Sequence, residues 1–154
     1  PLVKRDAITS VYIEEMIAAI HELGPYIVLA PGFALGHSRP SDAVHQTAIS
    51  IATLAQPIEF GSKHNDPVDI VVILAAKDDE SHIELLQKIV IFFNNEANFD
   101  LLRSARTEED ALNVSKVING EASYGHLERF CISAFYKSNH LHGFACACGS
   151  FTST

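Results

Sequence analysis

Residues 68–93 predict a buried strand that is followed directly by an amphipathic helix. Residues 68–76 form a nearly continuous apolar run after the turn-forming residues 65–67, which indicates a buried strand. Asp78 to Ser81 then supply capping oxygens and negative charge for the first turn of a helix that we expect to reach Phe93. The apolar stripe of that helix is expected to consist of Ile83, Leu86, Ile89, Val90 and Phe93.

The same alternation of strands and helices extends over most of the chain. An amphipathic helix is predicted over residues 8–23, where Gly24-Pro25 ends it. Further strands are predicted over residues 26–30 and 47–54, and helices over 98–104 and 108–118, the last capped by Thr107. Because 154 residues, 47% of them hydrophobic, suit one core, we expect a single α/β domain.

Composition excludes several classes of function. The net charge of −8 makes nucleic acid an improbable partner, because nothing would offset phosphate repulsion. The apolar runs are too short for membrane insertion, and no signal peptide is visible, so we expect a cytoplasmic protein. Three cysteines, an odd number, suit a reducing compartment, and we expect no disulfide.

A boundary is predicted near Gly120. Residues 1–120 carry the regular patterns, whereas residues 121–154 hold all three cysteines and show no clean helical or strand period. No structure can be derived for this tail from its sequence. We therefore separate a domain, residues 1–120, from a tail, residues 121–154.

The first candidate for chemistry is His37, which lies within residues 30–40 between Gly36, Ser38 and Arg39. We expect this segment to be a loop at a strand end, where α/β proteins usually place their sites. A neutral imidazole there is a competent nucleophile for phosphorus, and the Arg39 guanidinium can bind phosphate oxygens. The alternative, which the local features by themselves favour, is a surface loop histidine beside a solvated arginine.

His82 is the second candidate, because it stands near a helix start whose backbone N–H groups favour anions. If the strand ending at Ala76 lies beside the one leading to His37, both imidazoles face one pocket. The alternative is a helix-cap histidine without a task. We expect the remaining histidines of the first 120 residues, His21, His45 and His64, to lie on the surface.

Metal and nucleotide sites have weaker signals. Asn65, Asp66 and Asp69 have cation-binding oxygens, although Asn-Asp-Pro is more often turn chemistry. The tail contains an HxH and CxC cluster with metal-ligand chemistry but without the usual cysteine spacing, namely His140, His142, Cys146 and Cys148. No phosphate-binding Gly-rich loop of the nucleotide-dependent kinases is present, and we expect no cofactor.

Several segments, in the same order, resemble the mannitol/fructose-type enzyme IIA family of the bacterial sugar phosphotransferase system, with the ascorbate-type or related pentitol-type members nearest. The likeness covers roughly residues 8 to 118. The segments that carry it are residues 24–40, 57–61, 65–69 and 75–76, together with His82.

The resemblance implies a mixed β-sheet flanked by helices and the role of a phosphoryl carrier. Members accept the group from the histidine-containing phosphocarrier protein and pass it to a cysteine of enzyme IIB, which serves a membrane permease, enzyme IIC. By motif, His37 matches the phosphorylated histidine, His82 the auxiliary histidine and Arg39 the loop arginine. The implied sugar is ascorbate or a related pentitol.

Three features depart from the family pattern. Gly36 stands where the family usually has proline, and the chain starts inside what resembles the family's second helix. We therefore expect an N-terminal helix of the family, with or without a strand, to be missing here. The tail has no counterpart in the family. Two alternative functions stay open: a regulatory domain of the same fold that is phosphorylated as a signal, and a metal-binding module that uses the tail cluster.

Overall fold

The computed structural model describes residues 2–119 in full and the backbone alone of residues 131–135 and 144–147. Four α-helices and six strands lie in these parts of the chain. The helices are α1 (Ser10–Leu23), α2 (Asp79–Phe93), α3 (Glu96–Ser104) and α4 (Glu108–Asn119). The strands are β1 (Val28–Ala30), β2 (Phe33–His37), β3 (Ala48–Ile58), β4 (Val68–Ala75), β5 (Cys131–Phe135) and β6 (Phe144–Ala147).

The strands form one mixed sheet in the order β1-β2-β4-β3-β5-β6. Strand β4 pairs in parallel with β2 and antiparallel with β3. Strand β3 also pairs in parallel with β5, which pairs antiparallel with β6. The expected α/β domain with a mixed sheet flanked by helices is therefore confirmed.

Alternate residues of the strands face two separate layers of helix. On one face, Leu35, Val72 and their neighbours contact α2, α3 and α4 and form the main core. On the other face, Ala48 and Ala75 lie against Tyr12 and Met16 of α1. This alternation with a period of two gives the sheet two buried faces.

The predictions for residues 26–42 need correction. Residues 26 and 27 belong to a 3₁₀ turn, Gly24–Ile27, because Pro25 favours a helical first turn, and the strand begins only at Val28. His37 is the last residue of strand β2 rather than part of a loop. Pairing with β4, which is distant in sequence, makes this segment a strand, and local turn residues do not reveal it.

The predicted stripe of α2 is only partly right. Ile89 is buried, but Ile83 and Val90 are exposed, whereas Leu85 and Phe92 are buried in their place. Nearly every face of this helix carries an apolar residue, so periodicity alone does not select the face that packs on the sheet. The predicted cap is confirmed: the Asp78 side chain accepts a hydrogen bond from the Ser81 N–H, and the Ser81 hydroxyl accepts one from the Asp78 N–H, which forms a capping box.

Beyond residue 120, the structure adds two strands that the sequence does not predict. Residues Cys131–Phe135 extend the sheet beside β3, and Phe144–Ala147 pair with them. The boundary near Gly120 stays a prediction. Among the described residues, no helix is both long enough and apolar enough to cross a membrane.

Candidate functional site

The carboxyl ends of the parallel strands β2 and β4 meet at one edge of the sheet. His37 ends β2 and is paired in register with Leu74, near the end of β4. The chain then turns at residues 76–78 and enters α2, whose first turn carries His82. Because parallel strands end at the same edge, helix α2 begins beside His37, as the hypothesis of a shared pocket requires.

His37 and His82 are in contact. Their ring centroids lie 5.4 Å apart with an interplanar angle of 66°, an edge-to-face arrangement. Both side chains are half-buried. Nδ1 of His37 and Nε2 of His82 are buried, and neither has a hydrogen-bond partner among the fully described residues. The pair thus combines one shielded nitrogen on each ring with partial access from solvent.

The surroundings favour the uncharged form of His82. Burial lowers the pKa of this imidazole below its ordinary value of 6.5, and the nearby His37 lowers the pKa further, while the Asp79 carboxylate opposes both effects. At neutral pH the ring is therefore neutral. A neutral imidazole carries one N–H group, which can donate a hydrogen bond to an anion.

Arg39 lies two residues beyond His37, on the segment that leaves the sheet. Its side chain is exposed, and within the described part of the chain it makes no hydrogen bond, ion pair or ring contact. The structure thus brings His37 and His82 together but does not bring the Arg39 guanidinium onto either ring. A guanidinium without a protein partner can turn toward an incoming anion.

A pair of hydroxyl groups that the sequence analysis did not single out holds the start of α2. The Thr47 hydroxyl, just before β3, donates to Ser81 Oγ at 3.1 Å and accepts from the Lys77 N–H at 3.1 Å. This link anchors the turn that carries His82. No sequence signal reveals it, because 34 residues separate the two partners.

The other histidines of the first 120 residues are surface residues, as predicted. His21 and His64 are exposed, and His45 is an exposed side chain beside Asp6. None of these three has contact with the His37–His82 pair in the described structure.

The turn interpretation of residues 65–69 is supported by the structure. Asp66 Oδ2 accepts three backbone N–H bonds, from Phe60, Gly61 and Ser62, and Asp69 is paired with Arg103. No group of three potential metal ligands exists among the described residues. His140, His142 and Cys148 lie outside the described residues, and of Cys146 only the backbone is described.

Comparisons with known proteins agree with this architecture. The family described as "Phosphoenolpyruvate-dependent sugar phosphotransferase system, EIIA 2" matches residues 1–117. An ascorbate-specific PTS system EIIA component from Shigella boydii is 41% identical over 122 residues, which are 79% of this chain and 79% of that protein.

Two solved structures are also similar. The mannitol-specific cryptic phosphotransferase enzyme IIA from Escherichia coli has a TM-score of 0.65 and 28% identity, over 77% of this chain and 79% of that one. Enzyme IIAMTL in complex with phosphorylated enzyme IIBMTL, also from Escherichia coli, has a TM-score of 0.64 over 77% of this chain and 80% of that one. At 21% identity, the second likeness shows the fold alone.

Proposed function

Because the chain belongs to the EIIA 2 family of the phosphoenolpyruvate-dependent sugar phosphotransferase system, we propose that His37 is the residue that carries the phosphoryl group. The family membership makes the chain a phosphotransferase component, a phosphoryl carrier for sugar uptake. The observation that supports His37 is its contact with a second imidazole at the carboxyl edge of two parallel strands.

Burial of Nδ1 leaves Nε2 of His37 as the nucleophile. The Nε2 lone pair attacks phosphorus in line with the bond to the donor, a histidine of the histidine-containing phosphocarrier protein. The new N–P bond forms as the donor N–P bond breaks. Attack by Nε2 requires the His37 tautomer with its ring proton on Nδ1, and that proton stays there during transfer. In the second step, a cysteine thiolate of enzyme IIB attacks the same phosphorus, and the electron pair of the N–P bond returns to His37. Little covalent chemistry is required, so positioning and charge neutralisation govern the rate.

His82 and Arg39 stabilise the transferring group without holding it covalently. The neutral His82 ring lies beside His37 and can donate an N–H to a phosphoryl oxygen. Arg39, two residues past His37, can donate its planar fork to two further oxygens. Removing one such preorganised donor typically slows transfer about a hundredfold to a thousandfold.

The partners and the sugar class follow from the relatives. Membership of the EIIA 2 family favours enzyme IIB as the acceptor. Relatives at about two-fifths identity are ascorbate-specific, so ascorbate is the favoured sugar and a related pentitol the alternative. An enzyme IIC permease would be served only indirectly. We place the carrier in the cytoplasm, where phosphoenolpyruvate is available.

Intact-mass measurement tests the proposal. The chain is incubated with phosphoenolpyruvate, enzyme I and the phosphocarrier protein, and the wild type is expected to gain the mass of one phosphoryl group. His37→Ala should gain nothing, whereas the exposed control His64→Ala should gain as much as the wild type. Acid-labile labelling of His37→Ala at the wild-type level would show that another residue carries the group. Onward transfer to ascorbate-type and mannitol-type enzyme IIB then tests the sugar class.

A further inference from the structure

The hydroxyl of Tyr12 lies inside the protein, next to the backbone at the carboxyl end of β2. Tyr12 is a fully buried residue of α1, and it packs with Ala48 and Ala75 on the face of the sheet that α1 covers. A phenol that serves packing alone does not need its oxygen, so the partners of the hydroxyl decide whether it has a further role.

The Tyr12 hydroxyl forms hydrogen bonds with the backbone of the residue after His37 and with the backbone of the residue paired with His37 on β4. It donates to the carbonyl oxygen of Leu74 at 2.8 Å and accepts from the N–H of Ser38 at 3.0 Å; the Ser38 carbonyl oxygen lies 3.3 Å away. Ser38 follows His37 in the chain, and Leu74 is the register partner of His37 on β4. One oxygen atom thus joins the ends of the two parallel strands at the point from which the His37 side chain projects.

The hydroxyl keeps its proton at working pH. Burial raises the pKa of the Tyr12 phenol above its ordinary value of 10.0, the Ser38 N–H bond lowers the pKa, and the nearby Glu15 carboxylate raises it again. Glu15 also accepts a hydrogen bond from the Ser41 hydroxyl at 2.9 Å. The segment after His37 is therefore held by α1 at two positions, Ser38 and Ser41.

The residue before His37 gives no such support. Gly36 pairs with Ile73 of β4 through its backbone, but it has no side chain that could pack and hold the strand in place before His37. Beyond His37, the pairing of β2 with β4 has ended, and the bond to Tyr12 is the one that fixes the Ser38 N–H.

We propose that the Tyr12 hydroxyl is a positioning group for phosphoryl transfer: by tying Ser38 to Leu74, it holds the His37 imidazole against His82. The inference rests on the proposed function of His37. Tyr12 touches neither the phosphoryl group nor a partner protein, so its effect acts through the geometry of His37. Misplacement of a reacting group by about 1 Å costs roughly a hundredfold in rate. Loss of the bond that holds the backbone after His37 should therefore slow phosphoryl transfer measurably.

The test compares Tyr12→Phe with two controls. Tyr26→Phe removes the same hydroxyl from an exposed side chain, and Val114→Ala destabilises the main core from α4, a helix that carries no residue of the proposed site. In single-turnover transfer from the phosphorylated phosphocarrier protein, the maximal rate of Tyr12→Phe should fall about tenfold to a hundredfold. The donor concentration at half-maximal rate should change by less than about twofold, because the docking surface is intact. Both controls should keep the wild-type maximal rate.

Nuclear magnetic resonance supplies a second readout that does not depend on transfer. In the wild type, the Ser38 amide should exchange at least about a hundredfold more slowly than that of Arg39, and Tyr12→Phe should abolish the difference. The variant should also lose the proton–proton contacts between the His37 and His82 rings. If Tyr12→Phe does not fold, the Ser38 amide of the wild type still decides, since rapid exchange there would contradict the bond.

Three results would overturn the inference: a wild-type maximal rate in Tyr12→Phe, an equal loss of rate in Val114→Ala, or unchanged Ser38 protection in Tyr12→Phe. Failure of the wild type to accept phosphate would instead refute the proposed function. In that case the Ser38 exchange and the ring contacts still show whether the hydroxyl holds His37.

Discussion

The hydroxyl of Thr47 donates a hydrogen bond to the hydroxyl of Ser81 across 3.1 Å, which connects the chain entering β3 to the first turn of α2. Ser81, the residue before His82, in turn completes the capping box with Asp78. The position of His82 therefore depends on a residue from a different part of the sheet.

Thr47→Val should loosen the start of α2 and slow phosphoryl transfer. The variant keeps the shape of the side chain but leaves the Lys77 N–H without its acceptor, at a cost of about 1 kcal/mol in the free energy of unfolding. Thr107→Val is the matched control, since it removes a capping hydroxyl from α4, away from His82. Urea denaturation measures stability and single-turnover kinetics measures transfer. Equal rates in the two variants at equal stability would contradict a role for Thr47 in placing His82.

The depressed pKa of His82 predicts a pH dependence of stability. The native state holds the His82 proton less tightly than the unfolded state, whose pKa is near 6.5. The unfolded state therefore binds more protons between the native pKa and about 6.5, so the free energy of unfolding rises with pH across that window and is unaffected by this residue above it. Urea midpoints of the wild type should fall more steeply below pH 6.5 than those of His82→Gln. Parallel curves would contradict the prediction.

His37→Ala should raise the pKa of His82. The substitution removes the electrostatic effect of the neighbouring imidazole, the second cause of the depression, while burial remains the larger cause. The pKa should therefore move toward the ordinary value without exceeding it. A titration of the His82 ring signals by nuclear magnetic resonance measures the shift, with the exposed His64 as internal reference. An unchanged pKa would mean that the two rings do not interact electrostatically.

Arg39→Ala should slow phosphoryl transfer about a hundredfold to a thousandfold, because a donor to the phosphoryl oxygens is lost. The free energy of unfolding should change by less than about 0.5 kcal/mol, since the side chain is exposed. Lys63→Ala, which removes another exposed cation, is the control and should transfer at the wild-type rate. Stopped-flow transfer measures both. A wild-type rate in Arg39→Ala would remove Arg39 from the proposed site.

Gly32→Ala should destabilise the protein more than Gly61→Ala does. Both glycines have positive φ, 78° and 90°, so an alanine at either is strained by about 1–2 kcal/mol. Only at Gly32 would the new Cβ also meet the ion pair, 2.8 Å from Arg103 Nη2 and 2.9 Å from Asp69 Oδ1. At Gly61 nothing lies within 4 Å. Chemical denaturation measures the free energy of unfolding of both variants, and the difference between them reports the clash with the Asp69–Arg103 ion pair. Equal losses of stability would show that the ion pair moves aside at no energetic cost.

Truncation after Gly120 should leave phosphorylation of His37 intact but promote self-association. Residues 131–135 cover the edge of β3 over Ala48 to Ala52, and their removal exposes an unpaired strand edge. Sedimentation velocity reports the association, and intact mass after the phosphotransfer reaction reports the labelling. A truncated chain that is folded by circular dichroism but takes up no phosphate would place the tail within the functional unit.

Local chemistry in the sequence determines much of this protein. The cap of α2 follows from Asp78 and Ser81, and the end of α1 follows from Gly24-Pro25. The strand β4 follows from an apolar run of the right length. These elements are predictable because the interactions that start or stop them lie within a few residues of one another. The candidate histidines, His37 and His82, are also found from sequence, since their neighbours already suit an anion.

Only the tertiary structure decided how those pieces meet. The parallel pairing of β2 with β4 makes residues 33–37 a strand and brings the ring centroids of His37 and His82 to 5.4 Å from each other. The buried side of α2 is set by contact with the sheet, because its apolar residues occupy more than one face. The Tyr12 hydroxyl finds its acceptor on Leu74, 62 residues away. Each of these depends on hydrogen bonds or packing between segments far apart in the chain, which no local pattern encodes.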